Sequence, residues 1–184
     1  MKKVLTILVV LALFAGFAFA DGNTVTLITE LDKIAPSFKL EVKDGETFTM
    51  ADTTVADLDT VGGITAEFKV SQVGPARLAN GTAPSLGVSC GAFYLYDGGN
   101  KVAAVHTADP TVTITGEGLG NAAVRTNLTF NDVAISGNAI TFSPKYNGNV
   151  EEGAIGSFKA NWVQRTDLPA GTYKADVELT YTAL

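Results

Sequence analysis

Few residues of this chain have the type and spacing that catalysis or metal binding requires. His106 is the only histidine, and a Ser–His–Asp triad or a histidine zinc site needs partners that the sequence does not place beside it. Glu151 and Glu152 are adjacent, so in a strand their carboxylates point to opposite faces and suit acid–base catalysis poorly. The D-G-G-N segment at 97–100 lacks the alternating acidic ligands and the closing glutamate of an EF-hand loop. We therefore predict no catalytic residue, no metal site and no cofactor, and we do not expect an enzyme.

Cys90 is the only cysteine of the chain, so no internal disulfide can form. It lies in the segment V-S-C-G-A-F, whose apolar residues are typical of a strand. This setting predicts a buried, unreactive thiol. An intermolecular disulfide and a reactive thiol are the alternatives that the sequence leaves open.

The elements that must position any functional surface are β-strands, because the chain is rich in Thr, Val, Ala and Gly and has few helix signals. One helical turn is predicted over 51–58, a long loop over 74–85, and hairpins around 97–100 and 136–138. The predicted strands lie near 24–31, 36–42, 46–50, 63–71, 86–96, 101–106, 111–116, 122–129, 133–136, 139–143, 155–164 and 172–182. Many short strands separated by turn residues indicate an all-β fold, an immunoglobulin-like β-sandwich with an N-terminal extension.

The first twenty residues have the features of a secretory signal peptide. Lys2 and Lys3 form a basic n-region, Val4–Phe14 is an apolar h-region, and A-F-A at 18–20 is a cleavage site. The apolar run is too short for a comfortable membrane span, so we expect an exported mature chain that does not insert into a membrane. The predicted organisation is a signal peptide at 1–20, an N-terminal arm at 21–33 and one β-sandwich domain at 34–184.

The charge of the chain argues against two classes of partner. Loss of Lys2 and Lys3 with the signal peptide lowers the formal net charge from −6 to −8. An acidic surface is repelled by nucleic acids and by anionic membranes, so neither is expected to bind.

Two segments with alternating polarity lie near the ends of the mature chain. The C-terminal one begins at Gly171 and places Tyr173, Ala175, Val177, Leu179 and Tyr181 on one face. The N-terminal one places Val25, Leu27, Thr29 and Leu31 on one face. Each pattern predicts a strand with one buried face and one solvent-exposed face.

These two segments resemble the ends of chaperone–usher pilins. The C-terminal strand is similar to the last strand of those subunits, with Gly171 fourteenth and Tyr181 fourth from the end. The segment T-V-T-L-I-T-E-L-D-K-I-A-P at 24–36 resembles the start of class 5 (colonisation-factor) fimbrial major subunits. The resemblance covers roughly 35 residues, and the chain departs from the family in lacking both a penultimate tyrosine and the disulfide of many pilins.

The resemblance implies that the arm is a donor strand for a neighbouring copy. Val25, Leu27, Thr29 and Leu31 would then fill a groove that borders the final strand, whose residues include Gly171, Tyr173, Val177, Leu179 and Tyr181. Head-to-tail addition of this kind gives a filament, so the implied function is a structural subunit of a bacterial surface fimbria. The implied partners are like subunits, a periplasmic chaperone and an outer-membrane usher of a Gram-negative-type bacterium, and the implied location is a cell-surface fimbria or the periplasm.

An alternative reading uses the same residues within one molecule. The arm would be the first strand of its own sandwich and would pair with 172–182 of the same chain. The protein would then be a monomeric secreted or periplasmic sandwich that binds a carbohydrate or a protein ligand. Periodicity does not distinguish pairing within one chain from pairing between chains.

Overall fold

The structure is a computed structural model that describes residues 26–115 and 127–182. The chain divides into two units, Met1–Leu31 and Asp32–Leu184, and all strands of the described residues lie in the second. The predicted signal peptide and residues 122–126 of a predicted strand lie outside the described residues. Within the described part, the regular structure consists of strands alone, so the predicted all-β fold is confirmed.

Several strands are joined by short turns that contain glycine, such as 45–46 and 98–99, whereas residues 50–63 form a long connection. Their bounds are β1 Phe38–Asp44, β2 Thr47–Thr49, β3 Ile64–Gln72, β4 Ala76–Thr82, β5 Ser85–Cys90, β6 Tyr94–Asp97, β7 Asn100–His106, β8 Thr111–Ile114, β9 Leu128–Ser136, β10 Ala139–Val150, β11 Gly153–Trp162, β12 Thr172–Lys174 and β13 Val177–Thr182.

The strands form three antiparallel sheets. The first has the order β2-β1-β3-β11-β8, and the third is β12-β6-β7. In the second sheet, β13 pairs with β5, while β5 and β4 pair with consecutive parts of the long strand β10. Strand β9 also pairs with β10. The arrangement is a β-sandwich, as predicted.

The core lies between the inner faces of the first and second sheets. Phe68 and Phe158 of the first sheet stack with ring centroids 5.1 Å apart, opposite the buried Phe142 of β10. Strand β3 buries every second residue from Ile64 to Val70, which is the period-two pattern expected of a half-buried strand.

One polar contact spans this core. The hydroxyl of Tyr146 donates to Gln72 Oε1 at 3.1 Å, and the amide of Gln72 donates to the carbonyl of Gly74 at 3.0 Å. Both side chains are fully buried, so each needs its partner to offset the loss of water.

The outer face of the first sheet carries an ion-pair cluster around Glu41. Its carboxylate lies 3.2 Å from Lys39 Nζ and 3.3 Å from Lys69 Nζ. Burial of Glu41 raises its pKa, but hydrogen bonds and charges from Lys69 and Lys39 outweigh this effect, and the net pKa lies below its usual value.

Two local predictions between 50 and 85 were wrong. Residues 51–58 form no helical turn, because the β-branched run Thr53–Val55 disfavours a helix and Thr53 Oγ1 bonds to the carbonyl of Ala51 instead. The predicted loop over 74–85 contains the strand β4. Both of its prolines, Pro75 and Pro84, lie just outside that strand, where no ladder hydrogen bond is needed.

The hairpin predictions are confirmed, with β6 joined to β7 and β9 to β10. The strand predicted over 172–182 is interrupted at Ala175 and Asp176, so that β12 and β13 join different sheets. The strand predicted over 24–31 is not formed in its described part, residues 26–31. A strand needs a neighbour for its backbone hydrogen bonds, and within the described part of the chain no strand pairs with these residues.

Candidate functional site

The C-terminal segment from Thr172 to Thr182 is one long edge of the sandwich. Strand β12 pairs with β6 and β13 pairs with β5, in registers that differ by one residue. Between them, the amide of Gly91 donates to the carbonyl of Asp176 at 2.8 Å. All these neighbours lie on one side, and within the described residues neither strand has a second neighbour. We call Thr172–Thr182 the free edge; its eleven residues extend over about 35 Å.

The inward side chains of the free edge are incompletely covered. Tyr173, Val177 and Leu179 are half-buried, and Tyr181 is 36% exposed, whereas the other face, including Glu178, is exposed. The predicted alternation is therefore present, but the apolar face lacks the full burial of the central strands. This is the state expected of an edge strand.

Gly171 precedes the free edge at a close approach between two segments. A Cβ atom at this position would collide with Leu95 Cδ1 of the neighbouring strand β6. A larger residue here would therefore require the Leu95 side chain to move.

Strand β1 faces the free edge across the open side of the sandwich. Its inward residues Phe38, Leu40 and Val42 are also half-buried. At one end the opening is closed by contact of the Phe38 and Tyr181 rings, whose centroids are 5.3 Å apart. The residue pattern predicts a strand at 36–42 but does not mark β1 as part of a site, because only the sandwich brings it near the C-terminus.

Toward the other end, the opening widens into a groove of about 1150 Å³. Its floor is the inner face of the first sheet and includes Val42, Phe68 and Trp162. One wall is formed by residues 168–177 and the other by residues 49–59. The floor residues are apolar, whereas the walls include charged residues such as Asp52 and Lys174, so the groove offers both apolar and polar surface.

The arm carries exposed apolar side chains. Leu27 is 92% exposed and Leu31 74% exposed, and Thr29 is exposed as well. Ile28, which alternation places on the opposite face from these residues, is 84% exposed. Val25, the remaining predicted donor residue, lies outside the described residues.

Strand pairing in the second unit begins with Ile34, just after the arm. The amide of Ile34 donates to the carbonyl of Arg77, and the amide of Arg77 donates to the carbonyl of Ile34, both at 2.8 Å. Nearby, the amide of Val73 donates to the carbonyl of Ser37 at 2.8 Å. These bonds hold the start of the sandwich against β4 and the end of β3.

Cys90 and His106, the residues considered for thiol reactivity and for catalysis or metal binding, lie in different environments. Cys90 is fully buried, and burial raises the pKa of its thiol to about 12. His106 is exposed, with Nδ1 2.7 Å from the carbonyl of Thr107. Within the described ranges, no group of three or more His, Cys, Asp and Glu side chains could hold a metal ion.

Two half-buried tyrosines of β6 have lysine ammonium groups over their rings. Lys101 Nζ lies 3.6 Å from the ring centroid of Tyr94, which also stacks on His106 at 4.9 Å. Lys174 Nζ lies 5.2 Å from the ring centroid of Tyr96. These contacts stabilise the third sheet and leave less ring surface for stacking on a sugar.

No helix in the described part of the chain is long and apolar enough to cross a membrane.

Comparison with known proteins gives no relative for this chain. No protein-family model matches the sequence, and neither a curated protein nor a solved structure is significantly similar to it.

Proposed function

We propose that this chain is a structural subunit of a bacterial surface fimbria, in which the arm of one copy adds as a strand to the free edge of the next. The observation that carries this proposal is the free edge itself, which borders a groove with an apolar floor. The same chain has an arm with exposed apolar side chains. An unpaired strand beside half-buried apolar residues promotes association with another strand.

The energetics favour such an addition. Burial of Leu27 and Leu31, which are 92% and 74% exposed, would contribute roughly 1.5–3 kcal/mol each. Each ladder hydrogen bond to the free edge would add about 0.5–1.5 kcal/mol. Since donor and acceptor surfaces differ, each added copy presents a new acceptor, and growth does not close.

The location and the other partners follow from the same proposal. A subunit with an uncovered edge needs protection before assembly, which the resemblance assigns to a periplasmic chaperone and an outer-membrane usher. The predicted signal peptide is consistent with export by this route.

The test separates the two halves of the interface with two variants of the full mature chain. L27S/L31S keeps the acceptor edge but has a weakened donor arm, and L179D keeps the arm but places a charge on the acceptor edge. Circular dichroism first establishes that both variants fold. We expect neither to polymerise alone and an equimolar mixture to give a one-to-one dimer by sedimentation velocity.

The outcomes distinguish the proposal from the alternative of a monomeric binding protein. Open-ended polymers of the unaltered chain, together with the mixed dimer, would support a head-to-tail interface. A stable monomer at all concentrations, with no dimer in the mixture, would instead favour a secreted monomeric sandwich whose arm pairs within its own chain.

A further inference from the structure

The second wall of the groove has the pattern of a strand that lacks a partner. We call residues 50–59 the strap. Asp52, Thr54 and Ala56 are exposed, while Thr53 and Val55 are half-buried. This alternation over five residues has the period of two that a half-buried strand shows, yet the strap is assigned no strand.

The backbone of the strap has few hydrogen bonds. Among the described residues, the bonds of 52–56 are limited to one, from Thr53 Oγ1 to the carbonyl of Ala51 at 3.2 Å. Backbone amides and carbonyls left without protein partners are available to a strand placed beside them.

The strap is nevertheless held at the groove. Val55 and Leu58 pack against the core, and the carbonyl of Leu58 accepts a hydrogen bond from the amide of Arg165 at 2.8 Å. The strap begins next to Thr49, which ends β2. It is therefore fixed at both ends, with its hydrogen-bonding groups free in the middle.

The groove between the strap and the free edge has the volume of one strand. A strand is about 4.8 Å wide and about 10 Å deep, so the length of six residues, about 20 Å, occupies about 960 Å³. The groove volume is about 1150 Å³. The groove therefore has room for one added strand, which would have the strap on one side and residues 172–177 on the other.

We propose that the strap is the second half of the acceptor site, and that the arm of another copy pairs with the free edge on one side and with the strap on the other. This inference rests on the proposed function, because it takes the arm as the occupant. The strap changes from an irregular segment into a strand when the arm is added, which closes the open side of the sandwich.

Hydrogen exchange tests the proposal directly. The acceptor is the full mature chain with L27S/L31S, and the probe is a synthetic peptide of residues 24–33. Amides of 52–56, which now have no partner in the described structure, should exchange at least about tenfold more slowly with peptide bound. Protection that appears in 172–177 but not in 52–56 would overturn the strap proposal and leave the fimbrial function intact. Absence of peptide binding would overturn both.

Two proline variants provide a matched comparison. In a strand, successive amides point to opposite sides, so only one of Thr53 and Thr54 can donate to the arm. Proline removes the donor. We expect one of T53P and T54P to weaken peptide binding about tenfold, whereas the other changes it less than about twofold. Equal effects of the two variants, or no effect of either, would contradict pairing through the strap.

Discussion

Recognition of the arm through one face predicts unequal effects of neighbouring apolar substitutions. Leu27 and Leu31 share one face of the extended arm, and Ile28 lies on the other. All three are largely exposed, so each has apolar surface available for burial. The perturbation is the replacement of Leu27 and Leu31 by serine in a synthetic peptide of residues 24–33, compared with a peptide that carries Ile28→Ser alone.

The expected difference follows from the exposure of the side chains. Burying a leucine contributes roughly 1.5–3 kcal/mol, so removal of two should cost roughly 3–6 kcal/mol. This corresponds to a loss of affinity of about 10²- to 10⁴-fold. Ile28 would stay in solvent, and its replacement should cost less than about 1 kcal/mol through lower strand propensity.

Isothermal titration of the three peptides into the full mature chain with L27S/L31S measures these differences. The unaltered peptide and the I28S peptide should bind with affinities that differ less than about fivefold. A loss with I28S as large as that with L27S/L31S would refute recognition through one face, because general hydrophobicity would then explain the binding.

Three further predictions concern stability and reactivity. Y146F should lower the free energy of unfolding by about 1–3 kcal/mol in urea denaturation, because the buried Gln72 Oε1 loses the hydrogen bond from the hydroxyl. Y173F, which removes an exposed hydrogen bond to the carbonyl of Pro169, is the matched control and should lower the free energy of unfolding by less. Cys90 should resist alkylation at pH 8 until the protein unfolds, and rapid labelling of the folded chain would contradict its burial. Because burial raises the pKa of its thiol from a usual 9.0 to about 12, the contribution of Cys90 to stability is complete below about pH 9 and is lost as the pH rises toward 12. Because the pKa of Glu41 is lowered in the fold, its contribution to stability is present above the usual pKa of 4.5 and is lost as the pH falls below that value. E41Q should therefore flatten the decline of the melting temperature between about pH 5 and pH 3, and an unchanged decline would argue against the Lys39 and Lys69 contacts.

Residue patterns predicted the strands whose two faces differ in polarity. Strand β3 and the hairpins at 97–100 and 136–138 follow from local alternation and turn residues, which do not depend on distant partners. The break at Asp176 was not predictable in this way, because its carbonyl bonds to Gly91, a residue far away in the sequence.

The candidate site was predictable only in part. The alternation of Tyr173, Val177 and Leu179 indicated an apolar face, but its incomplete burial reflects the edge position of these strands among the described residues, which no local pattern shows. The groove floor at Trp162 and the strap arise from packing between sheets. The β-branched run Thr53–Val55 is a local signal against the predicted helical turn, but the position of these residues at the wall of a groove follows only from the packing of the sandwich.

The paired bonds between Ile34 and Arg77 determine how the proposed filament would respond to a pulling force. Tension along the arm would reach the sandwich first at this single bridge, whose two hydrogen bonds are both 2.8 Å long. Beyond it, β1 is bonded along its length to β3. A modest load would therefore break the bridge and lengthen the extended arm by a few residues, while the sandwich stays folded. Each subunit of the proposed filament would then extend slightly under load.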